Sequence, residues 1–360
     1  MRILHTEASC GWGGQEIRIL DESQGMAARG HELTLVAPRE SRIYEAARER
    51  GLRAEALPIA RKDLTGFLAM RRWLKARPVD VVNTHSSTDS WLAALACATL
   101  ARSPALVRTR HVSTAISDNW PTRWLYRRAT LHVVTTGEAL RRQLVQDNGL
   151  APERVTSVPT GIDVGRFVPG DRDAARRSTG LPAGRPLIGI VATLRSWKGH
   201  RYLVEAVRGM PPEVGLVIVG DGPQRPNIER SIRELGMSDR VWLAGNQRDV
   251  LPWLQSFDAF ALPSYANEGV PQALVQAMLC ALPCVTTTAG SISEAAVADE
   301  TALVVPPEDA GALREGLRRL IEERDLRARL GAAARARCVS RFSREAMLGE
   351  MERIFREAAG

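Results

Sequence analysis

Lysine is nearly absent from this chain: among 49 basic residues only Lys62, Lys75 and Lys198 are lysine, and the rest are arginine. A bias that uniform reads as genomic, so the net charge of +8 is weak support for a nucleic-acid partner. No helix-turn-helix, zinc or aromatic RNA-binding pattern accompanies the charge, and no nucleic acid is expected. Cysteine is scarce too. Cys10, Cys97, Cys280, Cys284 and Cys338 are odd in number, scattered and without a C-x-x-C, which excludes a disulfide scaffold and speaks against zinc. No apolar run reaches the ~18 residues of a spanning helix, and the start, MRILHTEASCGWGG, turns polar too early for a signal peptide. The expectation is a cytoplasmic protein. Aromatics make up only 5 %, and the 29 Gly and 20 Pro are dispersed, so collagen, coiled coil and wholesale disorder are excluded.

What is present is a length of 360 residues, enough for two domains with their own cores. Short runs rich in Val, Ile and Leu alternate with helical stretches throughout, as buried parallel strands and their crossover helices should. Seven such runs precede residue 160: Arg2 to Thr6, Glu32 to Ala37, Arg53 to Leu57, Val79 to Thr84, Ala105 to Arg110, Leu131 to Thr136 and Val155 to Val158. Six follow: Leu187 to Thr193, Leu216 to Gly220, Val241 to Ala244, Asp258 to Leu262, Cys284 to Thr287 and Ala302 to Val305. Between the sets lies PTGIDVGRFVPGDRD, residues 159 to 173, which reads as a linker. The pattern predicts two doubly wound α/β domains, residues 1–165 and 166–340, with a helix at 341–360 returning to the first. Ligands of such folds bind at the carboxyl ends of the strands, which places the expected site in a cleft between the domains.

Three strand-to-helix loops carry candidate chemistry. SCGWGGQE (Ser9 to Glu16) would let backbone N–H groups at Gly11, Gly13 and Gly14 approach an anion at a helix starting near Gln15. It is not a G-x-G-x-x-G, because Glu16 and Gln15 stand where glycine is needed, and this speaks against a dehydrogenase. VATLRSWKGH (Val191 to His200) sets Arg195 and Lys198 at a second helix entrance, where a compact ammonium suits a phosphate oxygen; a solvated lysine beside a glycine turn is the plain alternative. PSYANEGVPQALVQAM (Pro263 to Met278) places Glu268 before a helix that Pro271 should open. A carboxylate there can accept sugar hydroxyls. Were Glu268 to Gln276 all helical, the eight residues would span about 12 Å, roughly a hexose–diphosphate–ribose.

These landmarks resemble, in order, the GT-B glycosyltransferases of family 4. The second half carries SWKG with Lys198 and Gly199, VGDGP (Val219 to Pro223), LAG (Leu243 to Gly245), the block from Leu262 to Met278, CALPCVTTTAGSISE (Cys280 to Glu294) and ALVVPPED (Ala302 to Asp309). GGQE (Gly13 to Glu16) and NTHSS (Asn83 to Ser87) resemble landmarks of the first half. The resemblance implies a GT-B fold, two Rossmann-like domains facing across a cleft, and retaining transfer from a nucleoside-diphosphate sugar, the donor substrate, with no further cofactor. It implies that Arg195 and Lys198 hold the diphosphate, that Glu268 holds sugar hydroxyls, and that the backbone from Gly269 through Val270 and Pro271 to Gln272 borders phosphate and sugar, with N–H groups from all but Pro271. Gly13 and Gly14 would close over the phosphate, Gln276 would take the ribose, and Gly245, Asn246 and Val250 would frame the base. His111 matches the family's active-site histidine, with His85 as second candidate and Trp12 beside it on the acceptor side. Two departures stand out: Gln276 where the family has Glu, and Thr193 where it has Arg five residues before the lysine. No metal is expected, since cations and helix N-termini can carry the leaving charge. The pair Asp171 and Asp173 falls in the linker and reads as solvated.

The basic excess lies in the first half, with 24 Lys+Arg against 17 Asp+Glu up to residue 170. DLTGFLAMRRWLKARP (Asp63 to Pro78) and NWPTRWLYRRATL (Asn119 to Leu131) interleave apolar residues with cations, as docking on an anionic membrane would require. The family's role in surface glycans makes a lipopolysaccharide or lipid-linked glycan the expected acceptor, at the inner face of the cytoplasmic membrane. Competing readings are a nucleotide-sugar epimerase on the same fold and a non-catalytic sugar-nucleotide-binding subunit.

Overall fold

In the computed structural model, which describes residues 1–111 and 116–360, the apolar runs form two all-parallel sheets. The first holds β1 (Arg2–Thr6), β2 (Glu32–Ala37), β3 (Ala54–Ala56), β4 (Val81–Thr84), β5 (Ala105–Arg110), β6 (His132–Thr135) and β7 (Val155–Ser157), in the order β3-β2-β1-β4-β5-β6-β7. The second holds β8 (Leu187–Val191), β9 (Gly215–Val219), β10 (Val241–Gly245), β11 (Ala259–Leu262), β12 (Cys284–Thr286) and β13 (Leu303–Val304), in the order β10-β9-β8-β11-β12-β13. Each strand set matches the runs read from sequence, with ends equal to them or one or two residues shorter, except that β9 begins one residue early at Gly215 and β10 ends one residue late at Gly245. In both sheets the order reverses beside the first strand, between β1 and β4 and between β8 and β11. Those two switch points are where open α/β sheets take ligands.

The chain divides into two compact units, Met1–Gly161 with Glu345–Gly360, and Ile162–Arg344. The observed division therefore falls a few residues before the expected 165/166 and after 340/341. The stretch read as a linker is tied down rather than loose. Ile162 exchanges backbone hydrogen bonds with Phe342 (2.8 Å) and Arg344 (2.9 Å), Phe167 is buried in the second core, and Asp171 caps the helix Arg172–Thr179 by accepting from the N–H groups of Asp173 and Ala174.

In the second unit Leu187, Ile188, Ile190, Leu216 to Val219 and Ala259 to Leu262 are buried by helices on both faces, which is why these strands read as unbroken apolar runs. In the first unit the last helix, Arg344–Ala359, lays Met347, Leu348, Met351, Ile354 and Phe355 against Ile3, Val81, Val107 and Val134. Its approach is close: a Cβ on Gly25 would stand 2.3 Å from a Leu348 methyl. The opposite face of that sheet carries the helices Leu64–Ala76, Ser87–Ala98 and Trp120–Trp124 over a core of Leu4, Val82, Leu106 and Val133.

Candidate functional site

The second unit brings Lys198 and Glu268 together at its switch point. Lys198 ends a short 3-10 turn after β8, and Glu268 lies in the loop after β11. Lys198 Nζ donates to Glu268 Oε1 at 2.6 Å, and Ser264 Oγ donates to the same oxygen at 2.6 Å. The carboxylate side chain is 6 % exposed and the lysine 19 %. Two loops are stitched to hold this pair. Tyr265 N–H donates to the Trp197 carbonyl at 2.9 Å, Thr287 Oγ1 donates to the Ser264 carbonyl, and Gly199, at φ +73°, lets the Pro263 carbonyl come within 2.1 Å of where a Cβ would sit. Only glycine fits there, which explains the K-G dipeptide. Arg195 is exposed, stacks over the Trp197 ring at 5.7 Å, and makes no ion pair among the described residues. It stands on the same loop, where its carbonyl accepts from Lys198 N–H at 3.2 Å, but its guanidinium is not joined to the Lys198 ammonium or the Glu268 carboxylate.

The remaining candidates of this unit surround the same edge. The helix Gln272–Leu279 begins after Gly269 and Val270 with Pro271 as its N-cap, and its first internal hydrogen bond runs from Val275 N–H to the Pro271 carbonyl. Pro271 is therefore one position earlier than expected, and the all-helical span from Glu268 to Gln276 is corrected: only 272 to 276 is helical, about 6 Å. Gln276 is half-buried one turn into that helix. Gly245 ends β10 at φ +68°, with its carbonyl accepting from Gly220 N–H at 2.8 Å; Asn246 is exposed, and Val250 caps the helix Leu251–Ser256. His200, one residue past Gly199, is buried with neither ring nitrogen hydrogen-bonded, and burial, with Lys198 adding to it, pushes its pKa down to about 3.

In the first unit Gly13 caps the helix Gly14–Ala28 at the end of the loop after β1. That loop is braced by Glu7, which accepts from Ser9 N–H at 2.7 Å and from the Gln15 amide. Burial, then the charge of Asp89, pushes Glu7 up to about 8, opposed by those hydrogen bonds. Trp12 lies half-buried with Arg42 stacked on its ring at 5.1 Å. His85 follows β4 and His111 follows β5, and the structure joins them: His85 Nδ1 and His111 Nε2 are 3.0 Å apart. Asp89 accepts from Thr6 Oγ1 at 2.7 Å and from His85 N–H at 2.9 Å. Sequence reasoning missed Glu7, Asp89, Ser264 and His5, the last of which bonds His85. An apolar strand gives little warning that one of its alternate positions is polar, although His5 sits at the carboxyl end of β1 as His85 and His111 sit just past theirs.

Two doubly wound sheets in one chain, each with polar residues gathered at its switch point, make the GT-B architecture. Residues 171–337 match the family model "Glycosyl transferases group 1" and residues 12–166 match "Glycosyltransferase Family 4"; together the two matches span most of the chain, which belongs to the GT-B glycosyltransferases. It is 28 % identical to the D-inositol 3-phosphate glycosyltransferase of Xylanimonas cellulosilytica over 90 % of this chain and 87 % of that one. It is 32 % identical to the lipopolysaccharide core biosynthesis glycosyltransferase LpsE of Rhizobium meliloti over 64 % and 65 %. Its fold superposes on HepE of Anabaena, solved with UDP-glucose, at a TM-score of 0.87 and 21 % identity, covering 99 % of this chain and all of that one.

Proposed function

We propose that this chain is a retaining, metal-independent glycosyltransferase that moves a sugar from a nucleoside diphosphate to a hydroxyl of a cell-surface glycan precursor. The observation that carries this reading is the Lys198–Glu268 pair at the second switch point, 2.6 Å apart and beside a helix N-terminus. A donor entering there exchanges one partner for two. The ammonium turns to the diphosphate, the carboxylate is released to accept sugar hydroxyls, and the N–H groups of Gly269, Val270 and Gln272 at the helix entrance face phosphate. Arg195 supplies a second mobile cation for the leaving diphosphate, so charge stabilisation needs no metal. Gln276 contacts the ribose through a neutral amide. His111 stands beside the reacting sugar. The UDP-glucose complex of the Anabaena protein supports a UDP-sugar as the first donor to try.

The acceptor reading rests on the first unit. Leu64 and Leu68 are 68 % and 52 % exposed and Trp120 78 %, in the two segments where arginines interleave with apolar residues, and relatives include a lipopolysaccharide core transferase. A lipopolysaccharide or lipid-linked acceptor presented at an anionic cytoplasmic membrane face accounts for both.

The test is a metal-free screen of UDP-, GDP-, ADP- and CDP-sugars for binding and slow donor hydrolysis, with Lys198→Ala beside the wild type. Hydrolysis of one donor that disappears in the variant is the expected result. Wild-type turnover in Lys198→Ala, or no donor bound at all, would sink the assignment. Acceptor-free conversion to a new sugar nucleotide would mark an epimerase.

A further inference from the structure

Three histidines of the first unit form a continuous file that the reading above leaves unexplained. His5, His85 and His111 lie on or just past β1, β4 and β5, which are neighbours in the sheet. His5 pairs in register with Asn83 and Asn83 with Val107, so each ring stands two residues further toward the carboxyl edge than the one before it, on one pleat face. His5 Nδ1 is 2.8 Å from His85 Nε2, and His85 Nδ1 is 3.0 Å from His111 Nε2. The ring centroids are 5.1 and 5.2 Å apart, longer than the N···N distances by roughly two ring radii. The rings therefore point at one another in line instead of stacking.

The inner end of the file meets a carboxylate. His5 Nε2 lies 3.7 Å from Glu22 Oε1, which also accepts from Asn83 Nδ2 at 3.4 Å, while Glu22 Oε2 lies 3.6 Å from Arg18 Nε. Glu22, Arg18 and His5 are wholly buried. Burial is the chief cause that holds each of the three imidazoles neutral, with Arg18 adding to it in every case. Burial, opposed by Arg18, pushes Glu22 up to about 6, and it is a carboxylate above that pH.

A neutral imidazole has one donor and one acceptor nitrogen. A file of three in-line rings then has only two unbroken arrangements, with all the protons pointing one way or all the other. At 3.7 Å His5 Nε2 makes no hydrogen bond, so the carboxylate at one end selects between them by its charge, which favours an N–H over a lone pair facing it. His5 turns Nε2–H toward Glu22, His85 donates from Nε2 to His5 Nδ1, and His111 donates from Nε2 to His85 Nδ1. We propose that Glu22, His5 and His85 act as positioning residues that fix the ring proton of His111 on Nε2, leaving its Nδ1 as an acceptor for a sugar hydroxyl. The sugar ligand rests on the function proposed above; the tautomer does not.

The test is the tautomer of His111 in the full chain labelled with ¹⁵N-histidine, read by long-range ¹H–¹⁵N correlation well above the Glu22 range and assigned with a His111→Gln control. Wild type should carry the proton on Nε2. In Glu22→Gln donors face both oxygen positions, Arg18 Nε on one side and Asn83 Nδ2 on the other, so the neutral amide no longer selects an arrangement and His111 should carry both tautomers. His5→Phe cuts the file, should leave His111 with both tautomers, and covers the case in which Glu22→Gln does not fold. A wild-type proton on Nδ1, or a His111 tautomer unchanged in both variants, would overturn the proposal. Donor turnover separates it from the reading it borrows: spreading His111 over both tautomers should cost about twofold in turnover, since about half the molecules keep the competent one, with donor affinity little changed. Mixed tautomers with full turnover would leave the file standing and remove His111 from the reacting sugar.

Discussion

Lys198 and Glu268 each have two jobs at the scale of single residues, and the two can be told apart by stability. In the free protein each neutralises the other, and the glutamate is the more buried. Lys198→Met leaves that carboxylate with Ser264 alone, which should cost about 1–3 kcal/mol. Adding Glu268→Gln removes the uncompensated charge, so urea unfolding should show the double variant recovering most of the loss. Donor hydrolysis should stay absent in both variants, and recovery of turnover along with stability would mean that the pair is structural only. His200 offers a second residue-scale prediction. Its ring is kept neutral in the folded state down to about pH 3, against an ordinary value of 6.5, so the unfolded chain takes up the proton first as pH falls. The wild type should lose stability as pH drops below 6.5, whereas His200→Leu lacks that loss. Unfolding midpoints measured from neutral to acid pH should show the gain of His200→Leu growing below 6.5; a constant difference would contradict it.

At the level of elements, the strands were legible because burial on both faces leaves a continuous apolar run, and the parallel order follows from alternating helices. The loops were legible only in part. Lys198 stood out by composition, as a lysine in an arginine-rich chain at a helix entrance. That Ser264 shares the Glu268 oxygen with it, and that the next helix starts at Gln272 rather than nearer Glu268, depend on how two distant loops close on each other, and no local pattern encodes that. Gly199 is the hinge of this closure. Replacing it with Ala would put a Cβ 2.1 Å from the Pro263 carbonyl at φ +73°, costing about 1–2 kcal/mol from the left-handed backbone alone and more from the contact. Since the carbonyl cannot yield without moving the loop that carries Glu268, Gly199→Ala should weaken donor binding as well as lowering the melting temperature. Loss of stability with unchanged donor affinity would show that the two loops need not be in register for binding.

The whole molecule divides its charge unevenly, and the folded chain shows where the excess is displayed. The helix Leu64–Ala76 buries Gly66, Met70, Trp73 and Leu74, so Leu64, Leu68, Arg72 and Lys75 share the exposed stripe. The same layer continues through the helix Ser87–Ala98, where Leu95 is 43 % exposed, to Trp124, which stacks on Trp91 at 6.1 Å, and to the exposed Trp120. A core-packing role, the plain reading of such a helix, is satisfied by its inner face and leaves this outer one unaccounted for. No helix among the described residues is long and apolar enough to cross a membrane, so any attachment by this face must be peripheral. Apolar side chains among cations should then bind vesicles rich in an anionic phospholipid, more weakly in high salt because the charges are screened, and barely at all when the lipid is zwitterionic. Leu64→Asp with Leu68→Asp should reduce cosedimentation several-fold and leave hydrolysis of a soluble donor as it was, because neither residue belongs to the second unit where the donor pair sits. Binding that ignores lipid charge, or that survives both substitutions, would assign this layer to some other contact and take the membrane out of the acceptor argument.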